Sequence, residues 1–155
     1  MPLKPWLIFA AVLSSGPAFA DAVPPAEVAA AVAKAAPQMK ITGAELKERD
    51  GRRYYDVEGE LPGGGEIELD LLQTPAGWEV VEVQRDIGWA AAPQAVRTAA
   101  AGSWRGPDPA RVIESRQTDG AVIYELFAPG RPQTPALEVM LKHGAAKVLA
   151  EVWPH

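Results

Sequence analysis

The stretch YYDVEGELPGGGEIELDL, Tyr54 to Leu71, alternates acidic and apolar residues on both sides of a glycine run. A period of two is the mark of a strand with one face turned to a core and the other to water. Gly63-Gly64-Gly65 sits between the two alternating runs and reads as the turn of a hairpin. The apolar set, Tyr55, Val57, Ile67, Leu69 and Leu71, then belongs to the core. The carboxylates fall on the other face.

Working outward, Asp50-Gly51 lies between ELKER and RRYYDV, a strong short signal for a two-residue hairpin turn. Pro75-Ala76-Gly77 closes a third hairpin before WEVVEV. Upstream, VPPAEVAAAVAKAA, Val23 to Ala36, places valines four residues apart behind proline, which is compatible with a helix start. The sequence then repeats itself. APQAVRTAAAGSW, Ala92 to Trp104, matches the first helix, and IESRQTDGAVIYEL matches ELKERDGRRYYDV. Asp50-Gly51 falls on Asp119-Gly120 and Tyr55 on Tyr124; ALEVMLK follows EIELDLL, and LAEV follows VVEV. The offset stays between 68 and 70 residues throughout. In the second copy Ala128 to Pro135 is a longer proline-rich loop, and Ile87 to Pro93 joins the copies.

The reading is an α+β fold of two tandem repeats, each a helix packed on a four-stranded antiparallel sheet, over residues 21–90 and 91–155. The proline-led helix, DGRRYYDVEG, EIELDLLQTPAGWEVVEV and their second-copy counterparts resemble the PepSY family, in its beta-lactamase-inhibitor-like branch. The resemblance covers nearly the whole chain after residue 20. It implies a secreted or envelope-facing, non-enzymatic protein that binds or restrains another protein, and it brings no catalytic motif. The second copy departs from the family pattern in its enlarged loop and in a last strand that runs into Trp153-Pro154-His155.

Turn lengths give an expected register. Asp50-Gly51 sets Leu46 opposite Tyr55 and Ala44 opposite Val57. A three-glycine turn sets Leu61 opposite Ile67 and Val57 opposite Leu71. A three-residue turn at Pro75 to Gly77 sets Leu71 opposite Val81 and Leu69 opposite Val83. Glu58, Asp70 and Glu82 then form a row on the outer face, and Glu60 lies opposite Glu68. Directly opposed like charges destabilise a sheet. Screening by water and salt, a basic partner, or a calcium ion are the three ways to offset that cost. In the second copy Phe127, Met140 and Glu151 take the equivalent places, Trp153 falls opposite Glu138 and Leu149 opposite Lys142. That apolar group either contacts a partner, or packs on the linker at Trp89 or on the first copy. Trp78 and Trp104 read as turn-edge or core residues, and Arg85-Asp86 as a local ion pair.

Acids outnumber bases 14 to 7 in residues 21–90, whereas residues 91–155 carry 6 acids and 7 bases. A first half of that charge repels phosphate, which argues against nucleic acid. There is no cysteine, and the two histidines are His143 in a KHG turn and His155. No nucleophile with an oriented base follows from that inventory. A regular acid row on an exposed face lacks the burial and asymmetry that separate a catalytic acid from its base. Gly63 to Gly65 joins two strands, which is not the context of a phosphate loop. We expect no enzyme, no cofactor and no metal.

Residues 1–20 read as a secretion signal: Lys4, the apolar Leu7 to Leu13, and Ala18-Phe19-Ala20 as cleavage site. Leu7 to Leu13 is far short of the roughly 20 residues that span a bilayer. The expectation is a periplasmic protein starting at Asp21, with no membrane span once the signal is removed. Its partner is another periplasmic or envelope protein, met through Glu58, Glu60, Glu68, Asp70, Glu82, Phe127, Met140 and Trp153. The alternative is a periplasmic sensor or binding protein for a small ligand or divalent cation. Oligomeric state is not encoded in any feature of the sequence.

Overall fold

The structure is a computed structural model that describes residues 23–151. Residues 1–20, where a secretion signal and cleavage site are expected, and Trp153 lie outside the described residues. Helix α1 spans Ala26–Ala35 and α2 Gln94–Ala101. The strands are β1 Lys40–Arg49, β2 Arg52–Glu60, β3 Glu66–Thr74, β4 Gly77–Ile87, β5 Arg111–Gln117, β6 Val122–Phe127, β7 Leu137–Lys142 and β8 Ala145–Val148. None of the described helices is long and apolar enough to cross a membrane.

All eight strands join in one antiparallel sheet in chain order, β1 to β8. This overturns the expectation of two repeats, each with its own four-stranded sheet. The last strand of the first half pairs with the first strand of the second, from Glu82 opposite Gln117 to Ile87 opposite Val112. The physical reason is that an unpaired strand edge leaves a row of N–H and C=O groups without ladder partners. β4 and β5 satisfy those groups on each other.

Each helix starts on a proline whose carbonyl accepts the first helical bond, from Ala29 N–H to Pro25 at 2.9 Å and from Arg97 N–H to Pro93 at 3.1 Å. In α1, Val28 and Val32 point to one side and pack with Ala44, Val57, Ile67, Leu69 and Leu71. In α2, Val96 and Ala100 pack with Val112, Tyr124, Leu126 and Val139. Val83 belongs to the first cluster and Ile87 to the second. They are four apart on one strand, so both helices cover the same face of the sheet. Trp78 packs in the first cluster, edge-on to Tyr55 at 5.1 Å. Trp89 and Trp104 pack in the second.

Turn chemistry sets the register. Asp50 and Gly51 have φ of 51° and 72°, the two left-handed residues of a type I′ turn, and Ala44 lies opposite Val57 as expected. The glycine turn behaves differently. Glu60 pairs with Glu66, so the loop takes five residues from Leu61 to Gly65 and Val57 meets Leu69. Pro62 has no N–H to give a ladder and drops out of the strand. The partner of every residue in β2 therefore shifts by two, which changes pairs but preserves faces. Between β3 and β4, Leu69 meets Val83 as expected, but Leu71 meets Val80 across a bulge beside Asp70. β1 carries a second irregularity between Ile41 and Gly43.

Gly59 shows how closely β1 approaches β2. A Cβ there would lie 2.6 Å from the Lys40 carbonyl oxygen and 2.5 Å from Met39 Cε. The methionine could swing away; the backbone carbonyl could not without moving the strand. Gly59→Ala is expected to destabilise the fold by about 1–3 kcal/mol, the usual cost of overpacking. A urea titration showing an unchanged midpoint would contradict this.

Candidate functional site

The face opposite the helices carries most of the sequence-predicted site residues. Two rows cross it. One runs from Asp56 to Asp70 to Glu82 to Gln117; the next runs from Glu58 to Glu68, Gln84, Ser115, Ile123, Met140 and Lys147. The expected row of Glu58, Asp70 and Glu82 is therefore corrected: Asp56 takes the place of Glu58. Glu58 faces Glu68, and Glu60 faces Glu66 instead of Glu68. The signal that could have found Asp56 is Pro62, through its effect on loop length.

Asp56, Asp70 and Glu82 are buried, at 6–8% exposure, although no helix lies on their side. Side chains roughly 5 Å apart on a sheet screen one another from water. The buried charge is met locally. Lys47 pairs with Asp56, and Arg49 Nη2 lies 3.4 Å from both Asp56 Oδ1 and Asp70 Oδ2. Arg49 also stacks 4.7 Å above the Tyr54 ring. Across the seam between the halves, Ser115 donates its hydroxyl to Glu82, and Gln117 Nε2 donates to the same oxygen at 2.9 Å.

Asp56, Glu68 and Asp70 bring one carboxylate oxygen each within 4.8 Å of one another, a spacing at which an ion could be held. We do not assign a metal there, because Lys47 and Arg49 already supply positive charge to two of the three. The arrangement is an ion-pair network with an excess of acid. Burial, with Asp70, Asp56 and Glu58 nearby, pushes the Glu68 carboxyl up to about 8, although Lys47 opposes the rise. Burial, Asp56 and Glu82 push Asp70 up to about 7 against the pull of Arg49.

The second half of this face is mixed. Ile113, Ile123 and Phe127 are buried on it, and Met140, opposite Ile123, is half-buried. Phe127 does not sit beside Met140 as expected; it pairs with Arg111, whose guanidinium lies 5.4 Å over its ring. Glu125 and Glu138 lie directly opposite each other there, both buried, and sequence reasoning placed neither in the site. The contrast expected between an acidic and an apolar half is thus incomplete. Leu149 N–H donates to the Glu138 carbonyl at 2.9 Å, so Leu149 is not opposite Lys142, which pairs with Ala145. Glu151 is exposed beyond the last strand.

Arg85 and Asp86 are not a local ion pair, since neighbours on a strand point to opposite faces. Arg85 Nε donates to Glu114 at 2.8 Å on the helix side, while Arg111 reaches Asp86 at 3.0 Å on the other. Glu114 also accepts from Arg116 Nε at 3.0 Å and the Tyr124 hydroxyl at 3.1 Å. Burial alone would raise Glu114; the two arginines hold it below the usual carboxylate range. Burial and the Glu114 charge push Tyr124 up to about 12.

No family model matches the chain, and no curated protein does. A solved structure is similar: the 1.70 Å crystal structure of a DUF2874 family protein from Bacteroides uniformis ATCC 8492. It is 18% identical, with a TM-score of 0.51, over 84% of this chain and 93% of that one. At that identity the likeness shows the fold alone.

A carboxyl whose pKa rises on folding binds its proton more tightly in the native state. Its contribution to stability is complete below its ordinary value and lost as pH rises through the folded value. For Glu68 the window runs from 4.5 to about 8. Glu68→Gln should match the parent near pH 4 and exceed it at pH 9 by roughly 1–2 kcal/mol, about 3–10 °C in Tm. Thermal melts at both pH values decide it; a variant less stable at pH 9 would contradict the burial of an excess charge.

Proposed function

We propose that this chain is a non-enzymatic periplasmic protein-binding module, of PepSY-like and beta-lactamase-inhibitor-like type, that engages a cationic segment of another protein. What carries the reading is the set of directly opposed carboxylates on β2, β3 and β4, on the face away from both helices. Like charges so placed lower the stability of the free protein. A partner's lysine or arginine relieves that cost, so the same residues that weaken the sheet strengthen the complex. Attraction of this kind also steers encounter and falls with ionic strength.

The second half supplies a different contact. Phe127 is buried beside Arg111 and supports the sheet, whereas Met140 is half-buried and available. A partner crossing the whole face would meet acid first, then Gln84, Ser115 and Gln117, then a small apolar area. The periplasmic location rests on the signal sequence at residues 1–20.

The test uses a lysine-rich peptide as probe, with the mature chain and a variant carrying E58Q, E60Q, E66Q and E68Q. These four lie away from the Arg49 pairs, so the sheet should persist. The parent should bind, and the variant should bind at least about tenfold more weakly, some 1.4 kcal/mol. The difference should shrink in high salt. Equal affinity would reject the face assignment. Stabilisation by millimolar calcium that scales with its concentration would favour the cation-sensor alternative instead.

A further inference from the structure

We propose that the acidic rows are a proton-linked switch, in which Glu68 and Asp70 release protons to solvent when a cationic segment seats across β2, β3 and β4. The inference rests on the binding reading above and adds its regulation by pH. The geometry comes from the register. Glu68 faces Glu58 on β2, and Asp70 lies between Asp56 on β2 and Glu82 on β4. From β1 the face receives Glu45, Lys47 and Arg49; Lys47 and Arg49 reach Asp56, and Arg49 reaches Asp70. From β5, Ser115 and Gln117 bring hydrogen bonds to Glu82, and Arg111, paired with Asp86 of β4, lines the same concavity as Glu66 and Glu68.

Lys47 and Arg49, with Arg111 engaged by Asp86, therefore serve a block of acids that outnumbers them, at cross-strand spacing. Such groups cannot all ionise at once without cost, and they titrate as a coupled set. The upward displacement of Glu68 to about 8 and Asp70 to about 7 is the expected signature of that arrangement. Near pH 6 Glu68 and Asp70 are largely neutral and the face attracts a cation more weakly; near pH 9 both are largely ionised. A seated lysine lowers both carboxyls, so binding at neutral pH is accompanied by proton release, and affinity climbs with pH.

Carboxyl carbon-13 NMR of the mature chain from about pH 4 to 10 tests the titration directly, with E68Q used to assign one signal. At least one carboxyl should titrate above about pH 6, far from its ordinary range. Midpoints all below about 5.5 would overturn the switch whatever the protein binds. Calorimetry with the lysine-rich peptide follows, in buffers of different ionisation enthalpy. Affinity should rise about tenfold or more from pH 6 to 8.5, with protons released and the release reduced in E68Q. A peptide that binds equally at both pH values, without proton release, rejects the switch and leaves the binding face standing. A peptide that fails to bind at pH 8.5, where high midpoints are seen by NMR, rejects the binding reading and with it the linkage.

Discussion

The pairing of β4 with β5, from Glu82–Gln117 to Ile87–Val112, is the constraint on which the rest of the structure depends. It turns two helix-bearing halves into a single sheet and fixes both helices on one side. It also closes hydrogen bonds on both faces. On one, Glu82 is satisfied by Ser115 and Gln117; on the other, Glu114 is satisfied by Arg85. Glu82 takes both of these donors from the opposite half, and Glu114 takes Arg85 from across the seam in addition to Arg116 and Tyr124 of its own half. The seam is therefore polar on both sides at its centre, and apolar where the helices pack.

Charge is handled differently at two of the places where acids are buried. Glu114 receives two arginines and a tyrosine hydroxyl, and its ionised form is favoured. The rows on β2 to β4 receive Lys47 and Arg49 from one side only, and burial with neighbouring acids pushes Glu68 and Asp70 toward protonation despite them. A buried carboxylate with a full set of partners is held ionised, whereas an incompletely compensated set favours the approach of added positive charge.

Alternation in Tyr54 to Leu71 was enough to divide core from outer face, because side chains on a strand have no third direction to take. Helix starts were legible from Pro25 and Pro93, and the first hairpin from Asp50-Gly51. Register was less so. It turned on whether Pro62 sits in the ladder or the loop, and a difference of two residues exchanged Glu58 for Asp56 in the central row. The second half was harder still: the Asp119-Gly120 turn takes three residues, Thr118 to Gly120, with Arg116 opposite Val122. Continuity of the sheet could not be read, because pairing of β4 with β5 depends on edges that no local pattern describes. The same gap hid the Arg85–Glu114 and Arg111–Asp86 pairs, whose members are 29 and 25 residues apart.

Among the described residues β1 and β8 are the outer strands of the sheet, and each is poorly suited to recruit another chain. β8 has four residues, one of them Lys147. β1 is longer, but its register breaks between Ile41 and Gly43, and Lys40, Lys47 and Arg49 are spread along it. A short edge, a kinked edge and edge lysines are the devices that keep strands from stacking into fibrils. The irregularity in β1 thus has a colloidal consequence: it lets a long antiparallel sheet end without offering a template for its own continuation.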